Sequence, residues 1–277
     1  MKIRTLNDEG TLKPKDVTRK NDLPNYDNSQ PTNRTLPIEV FQPWSNIIVK
    51  LKLPQPIFEE MLEVTDKLIA DKNSVDFGAD LVGQVSKELV INPDKMLVHS
   101  TFEFFRNSVG NYIDMSMQQC YGNEREKYQD FKKENTLIRF NSMWTVSQFP
   151  DEYNPIHIHT GCKVSSVMYI KVPKFKVDRK EHYKTDGKIT FANNVGSDTK
   201  FANPTCSFTP EPGDMFIFAS LQQHMVWPFR CDEEDKERRS VSFNADFTTE
   251  TELNSSMDQW KQIIKQEEDM KKRGERT

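Results

Sequence analysis

The sequence predicts a mainly β fold with flanking helices, organised as a sandwich or barrel-like roll. Three observations predict it. From Leu137 onward the chain breaks into short runs of β-branched and aromatic residues, parted by turn residues. Ahead of that stretch, apolar residues recur at helical spacing in two separate segments. A last helical segment follows the final β-rich run.

Residues 1–35 are polar, rich in Asn, Asp, Lys, Pro and Thr, with neither a helical nor a strand period. They read as an extended or disordered arm. A strand is expected in NIIVKLKL (46–53), ended by Pro54 and Pro56, the second of which suits a first helical turn. Ile57, Met61, Val64 and Leu68 then predict a helix to about Ala70. Phe102, Phe105, Val109, Tyr112 and Ile113 predict a second helix over about 96–120. Beyond Leu137, Ile138, Phe140, Ser142, Trp144 and Val146 alternate with Arg139, Asn141, Met143, Thr145 and Ser147, which predicts one two-faced strand. Further strands are expected at 164–172, 188–193, 207–209, 215–219, 225–229 and 238–247. Asp186-Gly187 suits a tight hairpin and Pro212-Gly213-Asp214 a turn before a buried strand. Ser256 and Gln259 have capping-box spacing ahead of an apolar stripe of Trp260, Ile263 and Ile264. One domain is therefore expected over 36–250, its β core at about 137–247, with a C-terminal helix and basic tail over 251–277.

The bulk properties exclude several classes. Of 277 residues only 35% are apolar, so part of the chain is expected to stay unpacked. Net charge is −4 and the isoelectric point about 5.8, which gives no global attraction to nucleic acid or anionic membrane. No run of about 18 apolar residues occurs, so no spanning helix is expected. The first residues lack the apolar centre of a signal peptide and carry acids, unlike a transit peptide. Cys120, Cys162, Cys206 and Cys231 are scattered, without a C-x-x-C pair, which fits free thiols in a reducing cytoplasm. Cys162 reads as a small buried filler. A homodimer is compatible with this profile. No phosphate-cradling glycine motif and no nucleophile elbow is present.

Five histidines occur, and two of them form His157-Ile158-His159. In an extended segment these two side chains point the same way and can reach one metal ion. His224 lies between two apolar strand candidates and can fold back onto the pair. Three ligands on one face leave three octahedral positions open, as needed to take a bidentate co-substrate and dioxygen together. The bland alternative is a hydrogen-bonded histidine pair on a polar face. His99, at a helix start, and His182, in the charged loop KVDRKEHYKTDGK, read as non-ligands; that loop could cover a pocket.

At these residues the chain resembles a family. WTVSQFPDEYNPIHIHTGCKVSSVMY (144–169), EPGDMFIFASLQQHMVWPF (211–229) and RRSVSFN (238–244) are similar to the 2-oxoglutarate–iron(II) oxygenases. The likeness covers roughly 137–247 and weakens back to about residue 40. It implies a double-stranded β-helix (jelly-roll, cupin-like) core with helices packed on one face. It further implies His157 and His159 as proximal ligands and His224 as the distal one, with Fe(II), 2-oxoglutarate and O2 as cofactor and co-substrates. The expected reaction is hydroxylation of an unactivated C–H bond with release of succinate and CO2. The substrate would be a small molecule or a protein side chain.

The resemblance also implies an arginine on the last strand gripping the far carboxylate of 2-oxoglutarate. Arg238 and Ser240 share a strand face, whereas Arg239 falls with Val241 and Phe243, so Arg238 is preferred. Its alternative is an ordinary solvated loop charge. Tyr169 and Ser165 can point toward the co-substrate, or Tyr169 can be a core tyrosine. Trp144 and Trp227 read as core or pocket wall. One departure stands out: the wider superfamily has a carboxylate where this chain has His159. Asp151 and Glu152 could substitute if their loop curls, although surface charge is their simpler reading. Some small members of the family occur in tailed bacteriophages, and the polar arm is similar in style, which would place the protein in a host cytoplasm. A cupin-type metalloenzyme is a second reading, weakened because no glutamate follows the pair in Thr160 to Val164. A non-catalytic jelly-roll binding or virion-associated protein is a third.

Overall fold

The computed structural model describes residues 4–6, 12–14, 47–121, 125–176, 185–193 and 204–272, some C-terminal helix residues by backbone alone. The chain divides into two units, Met1–Phe41 and Gln42–Thr277. In the first, β1 (Arg4–Leu6) and β2 (Leu12–Pro14) form an antiparallel pair, so part of the expected arm is strand. The rest of that arm, the loop around His182, the stripe of Trp260, Ile263 and Ile264, and the tail 273–277 lie outside the described residues or side chains.

The second unit is a mainly β domain of two antiparallel sheets. β3 (Ile48–Lys52), β4 (Lys87–Val90), β5 (Thr136–Gln148), β7 (Val164–Lys171), β10 (Asp214–Ala219) and β12 (Arg238–Thr249) form a six-stranded sheet in the order β3-β10-β7-β12-β5-β4. Facing it is a four-stranded sheet of β6 (Asn154–His157), β8 (Ile189–Ala192), β9 (Thr205–Phe208) and β11 (His224–Val226), in the order β6-β11-β8-β9. Chain neighbours are rarely sheet neighbours, which is the jelly-roll arrangement.

Two apolar layers hold this together. α1 (Gln55–Ala70) buries Met61, Val64 and Leu68, and α3 (His99–Cys120) buries Phe105, Val109, Tyr112 and Ile113. Both pack with Met168, Ile217, Val241 and Phe243 on one face of the large sheet. On its other face Val167, Tyr169, Phe216 and Phe218 meet Ile189, Phe191 and Val226 of the small sheet. The helices therefore lie on one side of the large sheet and the interior between the sheets on the other. Two further short helices, α2 (Pro93–Met96) and α4 (Arg125–Lys133), flank α3 in the chain.

Three elements differ from expectation. The β5 alternation does not hold throughout: Ile138 and Phe140 pack with Met143 on the helix side, while Ser142, Trp144 and Val146 line the inter-sheet cavity. A bulge is the cause, because Asn244 pairs with Ser142 and Ala245 with Phe140, leaving Asn141 as the extra residue. The C-terminal helix α5 (Glu250–Lys272) begins before Ser256. Its capping box is Thr249 with Glu252: the Glu252 N–H donates to Thr249 Oγ1 (3.2 Å) and the Thr249 N–H to Glu252 Oε2 (3.1 Å). Ser256 sits within the helix and donates to the Glu252 carbonyl. Asp186-Gly187 forms a turn, but β8 after it pairs with β9 and β11.

Gly187 is required where it stands. Its φ is +63°, and an added Cβ would lie 2.2 Å from Phe175 Cζ. Gly187→Ala is expected to destabilise the protein by roughly 2–4 kcal/mol, combining a left-handed backbone cost with overpacking. A urea melt measures this; an unchanged midpoint would show that the ring simply moves aside.

Candidate active site

β6 carries His157 at its end and pairs with β11, placing His157 directly opposite His224. His159 lies just beyond β6, fixed by its N–H donating to the Ser220 carbonyl (2.8 Å). The three rings converge, and one nitrogen from each lies within 4.8 Å of the others. His159 Nε2 and His224 Nε2 are 3.3 Å apart, and the His157 and His224 ring centroids are separated by 4.2 Å. Two nitrogens about 2.1 Å from a shared ion and at right angles would be about 3 Å apart, so the spacing suits a cation between them.

Backbone contacts fix the tautomers that such an ion would need. His157 Nδ1 lies 2.7 Å from the Pro155 carbonyl and His224 Nδ1 lies 2.9 Å from that of Gln222, so each Nδ1 carries the proton and donates it. Nε2 is left with a free lone pair. Burial lowers all three pKa values. His159 falls to about 4, by burial and then His157, and His224 to about 3, by burial first and the neighbouring rings after it. Neutral imidazoles are the ligand form. Among the described residues no carboxylate joins this group. Glu152 instead accepts the Phe149 N–H, and Asp151 borders a separate shallow hollow with Trp227.

The histidines border a cavity of about 490 Å³ between the sheets. Its floor is the inner face of the large sheet. Arg238, Ser240, Ser242 and Asn244 follow at every second position of β12, with Ser142, Trp144 and Val146 beside them on β5 and Tyr169 on β7. Ser165 does not line the cavity; its hydroxyl donates to Asn244 Oδ1 (2.8 Å). Cys162 is half-buried, not a buried filler, and contacts the Ser165 hydroxyl.

The two candidate arginines separate completely. Arg239 turns to the helix side and is neutralised by Glu237 (2.7 Å) and Asp66 (2.5 Å). Arg238 is 2% exposed and lies between the Tyr169 and Phe229 rings, its guanidinium carbon 5.6 and 5.9 Å from their centroids. Nη1 donates to the Gly187 carbonyl (2.9 Å) and Nη2 to Gln148 Oε1. Arg238 Nε and Tyr169 Oη are buried without a hydrogen-bond partner, and among the described residues Arg238 has no ion-pair partner. A buried cation without a counter-charge is costly, and an anion with oxygen acceptors would offset that cost at this end of the cavity. Burial pushes the Tyr169 hydroxyl up to about 12, which keeps it a donor.

Sequence reasoning missed the far wall. β4 and the segment Phe77 to Gly83 contribute Phe77, Leu81, Val82, Gly83 and Glu88. Glu88 is 4% exposed, and burial, with Asp76 second, raises its pKa to about 7. An acid whose folded pKa exceeds its ordinary 4.5 loses stability as pH rises from about 4.5 to 7, and the full cost remains above 7. Glu88→Gln is therefore expected to stabilise the protein by roughly 2 kcal/mol at pH 8 and by almost nothing at pH 4.5. Urea melts across that range measure it; a gain independent of pH would contradict the cause.

Residues 142–244, which hold all three histidines, Tyr169 and Arg238, match a family model described as "Putative 2OG-Fe(II) oxygenase". This stretch resembles the core that the family model describes. The family so described is one that takes Fe(II) and 2-oxoglutarate. Solved structures similar to this chain include a Pseudomonas putida prolyl-4-hydroxylase, 12% identical, covering 71% of this chain and 91% of that one at TM-score 0.44. A Trichoplax adhaerens prolyl hydroxylase in complex with a hypoxia inducible factor peptide fragment is 12% identical, covering 73% and 83% at TM-score 0.45. The viral collagen prolyl hydroxylase of Paramecium Bursaria Chlorella virus-1 is 11% identical, covering 72% and 94% at TM-score 0.40. No curated protein matches the chain by sequence. Among the described residues no helix is long and apolar enough to cross a membrane.

Proposed function

We propose that the protein is a 2-oxoglutarate- and Fe(II)-dependent dioxygenase with a three-histidine centre, His157, His159 and His224, that hydroxylates an unactivated C–H bond of a small molecule or a protein side chain. The observation that carries this is one cavity holding two complementary features: three converging neutral imidazoles, and an uncompensated buried guanidinium beside an unpartnered hydroxyl. Fe(II) bound there would supply, with 2-oxoglutarate and O2, the oxidising chemistry that releases succinate and CO2.

The chain's own residues have separable tasks. His157 and His224 present Nε2 because backbone carbonyls hold their Nδ1 protons. His159 is braced by Trp144, its ring stacked 6.0 Å away, and by its backbone bond to Ser220. Arg238 offers Nε and its charge to the far carboxylate of 2-oxoglutarate, with Tyr169 Oη and Ser240 beside it. Trp144, Val146, Val167 and Phe218 give the cavity apolar walls, which exclude water and strengthen these polar contacts. Three neutral ligands leave the centre one unit more positive than a two-histidine-one-carboxylate set, which favours an anionic co-substrate. The four free cysteines support a reducing, cytoplasmic setting.

Anaerobic titration of the full chain with Fe(II) and then 2-oxoglutarate tests the reading. A visible metal-to-ligand charge-transfer band is expected, followed on admitting air by succinate release. A wild-type protein with neither would instead be a non-catalytic jelly-roll protein.

A further inference from the structure

We propose that the end of the cavity walled by Glu88, Asn154 and Gly83 is the substrate-recognition subsite, and that it takes a cationic nitrogen donor, an amine or guanidine. The inference deepens the oxygenase reading and rests on it for the identity of the cavity.

The cavity is electrically divided. Tyr169 pairs across the sheet with Ser240, Ser240 with Val146, and Val146 with Glu88, so these four form one row across strands β7, β12, β5 and β4. At about 4.8 Å per strand the row places Glu88 roughly 14 Å from Tyr169. The Arg238–Tyr169 end holds a buried cation; the other end holds a buried acid. Arg238 on β12 and Glu88 on β4 stand two strands apart and form no ion pair with one another.

Glu88 lines the cavity and is 4% exposed, yet its carboxylate has no hydrogen bond or ion pair among the described residues. Asp76 adds negative charge nearby, and its own carboxylate accepts the Gly78 N–H. Asn154 Oδ1 is a second buried acceptor without a partner. Both oxygens face Gly83: a Cβ there would lie 2.4 Å from Asn154 Oδ1 and 3.0 Å from Glu88 Oε1. The absence of a side chain at Gly83 thus lets two acceptors approach one another against its backbone, one of them able to carry charge. Buried acceptors are ordinarily satisfied, and what satisfies this pair is a donor, best a charged one. Phe77, Leu81 and Val82 surround it with apolar surface suited to a hydrocarbon stem. An amine-bearing substrate anchored here would extend back toward the histidines with its carbon chain across Trp144 and Val146.

Butylamine, agmatine and lysine amide, with pentanamide as a neutral comparison, are suitable probes. Calorimetric titration into the full chain is run both metal-free and with Fe(II) and 2-oxoglutarate under nitrogen. At least one cation is expected to bind at millimolar concentration and pentanamide not. Glu88→Gln, close to isosteric, should weaken cation binding about tenfold or more, and Gly83→Ala should do so by pushing the Asn154 and Glu88 oxygens apart, while melts show both variants folded. Equal binding of pentanamide, unchanged affinity in Glu88→Gln, or no saturable binding of any cation would each overturn the subsite. Because amine binding is scored on metal-free protein too, its failure is distinguishable from loss of the charge-transfer band, which would count against the three-histidine centre.

Discussion

His224→Ala is expected to abolish the charge-transfer band and to lower 2-oxoglutarate turnover by roughly a thousandfold or more. His224 is the central member of the three. It faces His159 across 3.3 Å and His157 across a 4.2 Å ring separation, and it is 4% exposed. With it gone, two imidazoles remain and no described acid stands close enough to replace it. Each lost 1.4 kcal/mol of binding is tenfold in affinity, and a buried metal–imidazole bond exceeds that several times over, so iron would not stay bound at micromolar concentration. A stability measurement separates this from misfolding. A metal at a hundred times its Kd raises wild-type stability by about 2.7 kcal/mol, and the variant should show no such rise while melting cooperatively without metal. His99→Ala, exposed at the start of α3, should leave the band intact. A His224→Ala protein that still gives the band would remove His224 from the centre.

Much of this arrangement was legible because it rests on periods that sequence displays. His157 and His159 share a direction through the two-residue period of extended chain, and the apolar runs around His224 mark buried strands. The side of Arg238 could be read from Val241 and Phe243, which fix the helix-facing side of β12. What was hidden depends on contacts between strands. A single extra residue, Asn141, turns Ile138 and Phe140 away from the side occupied by Trp144 and Val146, and nothing in the local alternation marks it. Two segments carry capping-box spacing near the C-terminus, at Thr249 and at Ser256. The end of β12 decides between them, and that end is set by pairing with β5 as far as Thr136. Glu88 was hidden for a similar reason. An acid in a four-residue edge strand looks like surface charge, and only the Phe77–Gly83 segment folding over it makes it an interior group. The departure at His159 was visible, but its meaning needed the ring geometry, which shows a third imidazole beside the other two and the nearby acids turned elsewhere.

Arg238→Lys is expected to raise the KM for 2-oxoglutarate by roughly a hundredfold while lowering kcat only a few-fold. The guanidinium uses Nη1 and Nη2 to hold itself between Gly187 and Gln148, which leaves Nε without a protein partner. Lysine keeps the charge but has no fork, so it cannot be held by two protein acceptors and still offer a directed donor. A hydrogen bond involving a charged group contributes about 1.5–3 kcal/mol, equivalent to roughly ten- to a hundredfold in affinity. The loss should fall on KM because the far carboxylate of 2-oxoglutarate takes no part in bond making: its grip is the same before and during reaction, and removing equal binding of both states leaves kcat nearly intact. Arg239→Lys supplies the contrast. Its guanidinium already pairs with Glu237 and Asp66 on the helix side, so the substitution should lower the melting temperature and leave KM unchanged. Steady-state succinate release for the two variants, with melts of each, separates the roles. If Arg239→Lys raised KM and Arg238→Lys did not, the anchor would have to be sought on the other face of β12, where no cavity opens toward the histidines among the described residues.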